Sequence, residues 1–298
     1  MHPERRRRTE ELDRLAAEGQ WEALFQRLML EEFPSEARMG WQLAFLRPFA
    51  VPRMAQILSH AGQLIHDPRK RAYDTGLIIY EIVYGGLDSP RARQMVSLIN
   101  RAHHGRGIDA EDMTYVLCAF IVTPIRHIGW VGWRAVTTDE KRAAVEFFGH
   151  LGQLMNIKSI PRTYAEAEQI YDDFELRNIA PSPEGKLLGS NLIRVLKDLQ
   201  PTLARSLAVP VFTTLLNDAR VARAIGLRPL SGPIQRAAVG LARVRAAVQR
   251  QTPPRRKPIF TPGKAVRGIY PHGYELSDLG PPQAGAERRS SLAATPRD

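Results

Sequence analysis

The stretch SLINRAHHGRGIDAED, residues 97–112, sets two histidines side by side where an apolar helical pattern gives way to a glycine-containing turn. Imidazole is a metal ligand that is neutral near physiological pH, so the direction each ring faces decides what it can hold. On a helix starting near Arg91, the residues Val96, Ile99 and His103 follow i, i+3, i+7. His103 therefore shares the inward stripe, and His104 is turned by roughly 100° to another side. A plainer reading satisfies a core histidine with a backbone carbonyl. A second polar group stands earlier in the chain. Arg71, Asp74 and Thr75 present a cation, a carboxylate and a hydroxyl at i, i+3 and i+4, ahead of the apolar residues 77–83. Here the plainer reading makes Thr75 a helix N-cap and Arg71 with Asp74 a surface ion pair. Together the two groups suit iron ligated by a neutral histidine in an apolar pocket, with arginine available to the propionates of a haem.

Other chemistries lack their residues. The sequence has no G-x-S-x-G, H-E-x-x-H or P-loop, and no G-x-G-x-x-G after a strand. A di-iron carboxylate centre needs Glu-x-x-His pairs on facing helices, and none occurs. Glu146 and His150 stand at i and i+4, the spacing of a surface pair. Cys118, the single cysteine, lies in the apolar run YVLCAFIV, which excludes an internal disulfide framework and a cysteine-rich zinc site.

The elements that must position these residues are helical. Thr137 with Glu140 forms a capping box ahead of Ala144, Phe147, Phe148, Leu151, Leu154 and Met155, and Thr163 with Glu166 forms another. Asp109 with Asp112 reads as an Asp-capped start for MTYVLCAFIV, which has no polar face and so predicts a buried central helix that Pro124 ends or kinks. Residues 55–65 and 75–83 are further apolar helices, stopped in the second case by Gly85 and Gly86. Alternating strand patterns are scarce. The reading is an all-α protein: a basic N-terminal segment (1–11) and a single helical domain with buried central helices (12–251). An extended Pro/Gly-rich arm packed on that domain (252–283) and a disordered tail (284–298) complete it.

With 298 residues, 44% of them hydrophobic, the chain is long and apolar enough for a large core. The start, MHPERRRRTEELDRL, has no secretory h-region, which predicts a cytoplasmic location. A net charge of +11 calls for an anionic partner. The basic residues form no recognisable nucleic-acid module, so attraction of a basic surface to an anionic membrane, with peripheral association, is the expectation over nucleic acid.

KRAYDTGLIIYEIVYGGLDSPRARQMVSLINRAHHGRGIDAEDMTYVL, then FIVTPIRHIGWVGWR, MNIKSIPRTYAEAEQIYDDFE and YPHGYELSDLG follow one another in order. In these segments the chain resembles the bacterial branch of the oxygenase family that includes the mycophenolate-pathway MpaB oxygenase and the latex-clearing rubber oxygenases. The resemblance implies an all-helical fold of globin-like character and a b-type haem bound by a proximal histidine. The family's Asn-Arg-x-His pattern falls on Asn100, Arg101, Ala102 and His103, making His103 the iron ligand; a shifted register through His104, Gly105 and Arg106 is the alternative. The distal Arg-x-x-(Lys or Asp)-Thr pattern falls on Arg71, Asp74 and Thr75. Rubber oxygenases carry lysine at the position of Asp74, so rubber itself is not the implied substrate. The implied activity is haem-dependent oxygenation, with O₂, of a lipophilic, unsaturated, isoprenoid-like molecule. Arg71 would stabilise bound oxygen or a propionate, Thr75 would donate a hydrogen bond, and Asp74 would orient Arg71 or act as a base. The alternative is a non-catalytic helical protein that binds haem or an isoprenoid lipid. Trp133 and Arg134 of the GWR motif either line the site or pack, and tryptophan is readily buried.

Overall fold

In the computed structural model, which describes residues 1–198, 201–202, 205–229 and 231–281, the chain is helical almost from its start. Helix α1 (Pro3–Ala17) includes the arginine run that the sequence sets apart as a basic segment. Arg5 is buried there and donates to the carbonyls of Gln249 and Thr252 at 2.7 and 2.8 Å. α2 (Trp21–Arg27) passes through a π-helical turn, Leu28–Glu32, to α3 (Pro34–Leu46). A 3₁₀ turn, Arg47–Ala50, leads to α4 (Pro52–His60) and the short α5 (Gln63–His66). The single helix expected over 55–65 is thus two, because Gly62 takes a φ of 75° between them, a conformation that favours glycine.

α6 (Pro68–Gly85) begins at Asp67, whose side chain accepts from the Lys70 amide at 3.0 Å, and stops at Gly86 with φ 78°. Thr75 therefore lies inside a helix and is not its N-cap. α7 (Pro90–His103) is capped by Ser89 and ends on the histidine pair. α8 (Ala110–Val131) corrects two expectations. Asp109 precedes it but makes no capping bond, because its carboxylate is taken by Arg53 at 3.2 Å. Nor does Pro124 end it: the helix runs on to Val131, and Gly40 of α3 lets the two helices meet at the proline, where any side chain would clash. α8 is long and apolar enough to cross a membrane, yet 72% of its most apolar window is buried inside the fold, as befits a core helix.

α9 (Thr138–Leu154) opens on the Thr137–Glu140 capping box and α10 (Tyr164–Asn178) on Thr163, as the sequence predicts. α11 (Pro183–Asp198), α12 (Arg205–Leu216), α13 (Ala219–Ala224) and α14 (Gly232–Gln251) follow. The fold is all-α. Among the described residues there is no strand, only isolated bridges between Val266 and Tyr270 and between Pro271 and Gly273.

The main core surrounds α8, with Tyr115, Phe25, Phe148 and Tyr171 fully buried. Each such side chain contributes roughly 1.5–3 kcal/mol by leaving water. A second core joins the end of α3 to α11, α12 and α13 through Leu46, Leu188, Phe212 and Ile225. After α14 the chain forms an arm without regular helix, and Tyr270 and Tyr274 pack into the main core. The tail at 284–298 and the last residues assigned to the arm lie outside the described residues.

Candidate active site

Helices α6 and α7 pack side by side and, with the end of α3, α4 and the facing ends of α8 and α9, line a cavity of about 230 Å³. Its walls are apolar, with Phe45, Ile79, Met113 and Phe120 among them; the polar side chains on the lining are Gln63, Arg71, Thr75, His103 and Asp112. The structure thus brings His103 of α7 together with Arg71 and Thr75 of α6. His104, one step further, is exposed and absent from the lining.

The Nδ1 of His103 lies 2.7 Å from the carbonyl oxygen of Ile99, one turn back. A carbonyl only accepts, so Nδ1 carries the hydrogen, and Nε2 is the unprotonated nitrogen of the neutral ring. Burial lowers the His103 pKa, and the nearby cations Arg71 and Arg106 lower it further against the pull of the Ile99 carbonyl.

Arg71 donates from Nη1 to the hydroxyl of Thr75, which in turn donates to the Arg71 carbonyl at 3.0 Å. The guanidinium carbon lies 5.7 Å from the centre of the Phe45 ring. Among the described residues no carboxylate forms an ion pair with it. Burial pulls its pKa down, only partly opposed by the more distant Asp74. A cation held in apolar surroundings without a counter-ion is costly, and an anionic group on a ligand would relieve that cost.

Asp74 does not line the cavity. Its carboxylate accepts from Lys70 Nζ at 2.6 Å, from the Tyr270 hydroxyl at 2.6 Å and from the Gly280 amide at 3.0 Å. These bonds strap the C-terminal arm onto α6. A second strap joins Glu81 to the Tyr274 hydroxyl at 2.6 Å, and Arg91 pairs with the same carboxylate at 2.8 Å through both nitrogens. The strapped arm delivers Gly280 and Pro281 to the cavity wall, where Gly280, at φ 88°, sits against Leu98.

Gly280, Pro281, Gln63 and Asp112 were not singled out as site residues by the sequence. Asp112 reads there as a helix-start acid; in the fold it is buried, accepts from Arg53, and has its pKa raised by burial. The signal for the arm was present in YPHGYELSDLG, whose two tyrosines make the straps. Trp133 stacks on Phe33 with ring centres 6.1 Å apart, and Arg134 grips Glu140 at 2.6 and 2.8 Å; neither lines the cavity. Glu146 and His150 lie on a separate cleft beside Trp21. Among the described residues no three His, Cys, Asp or Glu side chains converge as metal ligands.

The sequence model of the family described as ER-bound oxygenase mpaB/B'/Rubber oxygenase, catalytic domain, matches residues 36–250. That interval holds the whole cavity lining except Gly280 and Pro281. Over 213 residues the chain is 26% identical to the ER-bound oxygenase mpaB' of Penicillium brevicompactum, covering 65% of this chain and 50% of that protein. It is 28% identical over 224 residues to the ER-bound oxygenase mpaB of the same species, covering 68% and 55%. The mpaB of Penicillium roqueforti is 24% identical over 212 residues, covering 65% and 71%. The chain spans about half the length of the first two of these relatives. By the extent of the family match, the chain belongs to the mpaB/rubber oxygenase catalytic-domain family.

Proposed function

We propose that this protein is an oxygenase that binds haem b in the cavity between α6 and α7, with His103 as the ligand to iron, and uses O₂ on a lipophilic, unsaturated, isoprenoid-like substrate. The observation that carries the reading is the half-buried His103 ring on the cavity lining, with its hydrogen fixed on Nδ1 by the Ile99 carbonyl and its pKa lowered by burial. Among the described residues no set of three His, Cys, Asp or Glu side chains converges with His103, which suits an iron that brings its other ligands with it, as a porphyrin does. The oxygenase names of the family and of its relatives support the activity.

Bound there, the haem would supply a redox-active iron for oxygen chemistry. The rest falls to the chain's own groups. The Ile99 carbonyl fixes the tautomer of His103 and strengthens its donor nitrogen, as hydrogen-bond partners of ligating histidines do. Arg71 offers its unpaired charge to a propionate or to oxygen atoms that gain charge during reaction, and Thr75 fixes its direction. The apolar walls exclude water and favour a lipophilic substrate. Asp74 serves as a positioning residue, holding the arm from outside the cavity. At about 230 Å³ the cavity is smaller than the roughly 300–1,000 Å³ of typical ligand pockets. A ligand of haem size therefore requires one wall to yield, and the arm is the wall held by side chains instead of by a helix.

The test is an absorption spectrum of protein purified from haem-supplied cells. The wild type and His104→Ala should show a Soret band, and His103→Ala should lack it while keeping its far-UV circular dichroism. No band in the wild type, even after titration with haem, would overturn the haem reading. A band with no oxygen uptake on a panel of long-chain alkenes would make the protein a haem carrier instead of an enzyme.

A further inference from the structure

Helix α14, GPIQRAAVGLARVRAAVQRQ, contains no buried residue along its whole length. Its inner side is half-buried, through Gln235, Val239, Ala242 and Ala246, and Ala246 packs on the main core. On its outer side Ile234, Leu241, Val244 and Val248 are between 52% and 72% exposed. With the exposed Ala237 they recur at i, i+3, i+7, i+10 and i+14, which draws one continuous apolar stripe along a single helix face. α12 packs beside α14 and exposes Leu207 and Val211, one turn apart. Scattered apolar side chains on a surface mean little, but a stripe this regular on a helix with no buried residue asks for a partner.

The charges say which partner. α14 has four arginines and no acidic residue. Arg236, Arg243 and Arg250 follow one another at seven-residue spacing and are exposed, and among the described residues none of the three has a carboxylate partner. Only Arg245 is paired, to Glu36 at 2.8 Å. The three arginines lie on the polar side of the helix, roughly 140° round from the centre of the stripe, so a second copy laid on the stripe would leave them without a partner. An anionic bilayer satisfies both features at once, the stripe entering the acyl boundary while the guanidinium groups meet lipid phosphates. We propose that α14, helped by the exposed end of α12, is the surface by which this protein docks on an anionic membrane. The proposal goes beyond the oxygenase reading and does not depend on it.

The experiment is sedimentation of the full chain with vesicles of phosphatidylcholine alone and of phosphatidylcholine mixed with phosphatidylglycerol. Two double variants, Leu241→Asp/Val244→Asp and Arg236→Gln/Arg243→Gln, accompany the wild type. All four positions are exposed, so both variants should keep the wild-type circular dichroism and melting temperature. Wild type should bind the mixed vesicles and release at high salt, and each double variant should bind on the order of tenfold more weakly. The proposal is overturned if the wild type does not sediment with the mixed vesicles, or if Leu241→Asp/Val244→Asp binds as well as wild type. Light scattering on the same samples covers the other occupant: a wild-type dimer that the Leu241→Asp/Val244→Asp change dissociates would make the stripe a seam between copies. None of these readouts involves haem, so failure here leaves the absorption test untouched, and the reverse holds.

Discussion

Arg71 holds its charge beside a hydroxyl, whereas Arg47 holds its charge against two carboxylates, its Nη1 2.7 Å from Glu175 and 3.2 Å from Asp218. The two should behave oppositely on truncation. Arg71→Ala removes a desolvated cation that has no carboxylate partner among the described residues, so stability should stay within about 1 kcal/mol of wild type. Oxygen uptake should fall by a factor on the order of 10²–10³, the usual cost of losing one aligned donor. Arg47→Ala strands Glu175 and should cost about 3–5 kcal/mol in urea unfolding. If Arg71→Ala destabilises as much as Arg47→Ala and the remaining folded protein turns over normally, Arg71 is structural. At this scale the sequence was partly legible. Helical phase put His103 inward and His104 elsewhere because one residue turns the direction by roughly 100°. The same step separates Asp74 from Thr75, and there the cluster read as one face divides: Thr75 reaches the cavity and Asp74 the arm.

Among the elements, the arm supplies the part of the cavity wall made by Gly280 and Pro281. Its grip depends on Asp74 and Glu81, each nearly two hundred positions before its tyrosine partner, so no local pattern could reveal it. What was legible was its character: proline and glycine forbid a helix, and the aromatics demand a surface to pack on. Of the two outcomes expected at Pro124 the helix end is overturned, and the close approach of α3 there rests on Gly40 of another helix, which no local pattern could reveal either. Asp74→Ala should leave the Gly280 amide without its acceptor and the Tyr270 hydroxyl and Lys70 with only backbone carbonyls of the arm to bond, and so loosen the arm's hold on α6. Hydrogen exchange over residues 263–281 should quicken by about tenfold or more, the effect of losing roughly 1.5–3 kcal/mol of charged hydrogen bonds, while α6 stays protected. Haem uptake by the apoprotein should quicken with it. Unchanged exchange in the arm, together with lost turnover, would instead place Asp74 in the chemistry as a base.

Across the whole molecule the interior consumes arginine and carboxylate in pairs, with Arg134 on Glu32 and Glu140, Arg53 on Asp112 and Arg91 on Glu81. The surplus that makes the chain basic is carried by exposed side chains, with Arg236, Arg243 and Arg250 of α14 among them. One buried cation precursor lies between these regions. His127 of α8 is buried, and its pKa is lowered to about 4 by burial first and by Arg245 of α14 second. Its value in the unfolded chain is near 6.5, so the unfolded state binds the proton more tightly. The stability tied to the neutral ring is therefore complete above pH 6.5 and is lost as the pH falls toward 4, by up to about 3 kcal/mol. His103, also lowered, adds in the same direction, while Glu32, raised by burial, opposes it by binding its proton in the folded state. Both groups remain in His127→Phe, so the difference between that variant and wild type isolates His127. Urea unfolding at about pH 7 and about pH 4.5 should show a smaller acid loss in the variant, by roughly 2 kcal/mol or more. Equal losses in the two proteins would mean that His127 takes up its proton in the folded state as readily as in the unfolded one, and that α8 near Arg245 is open to water.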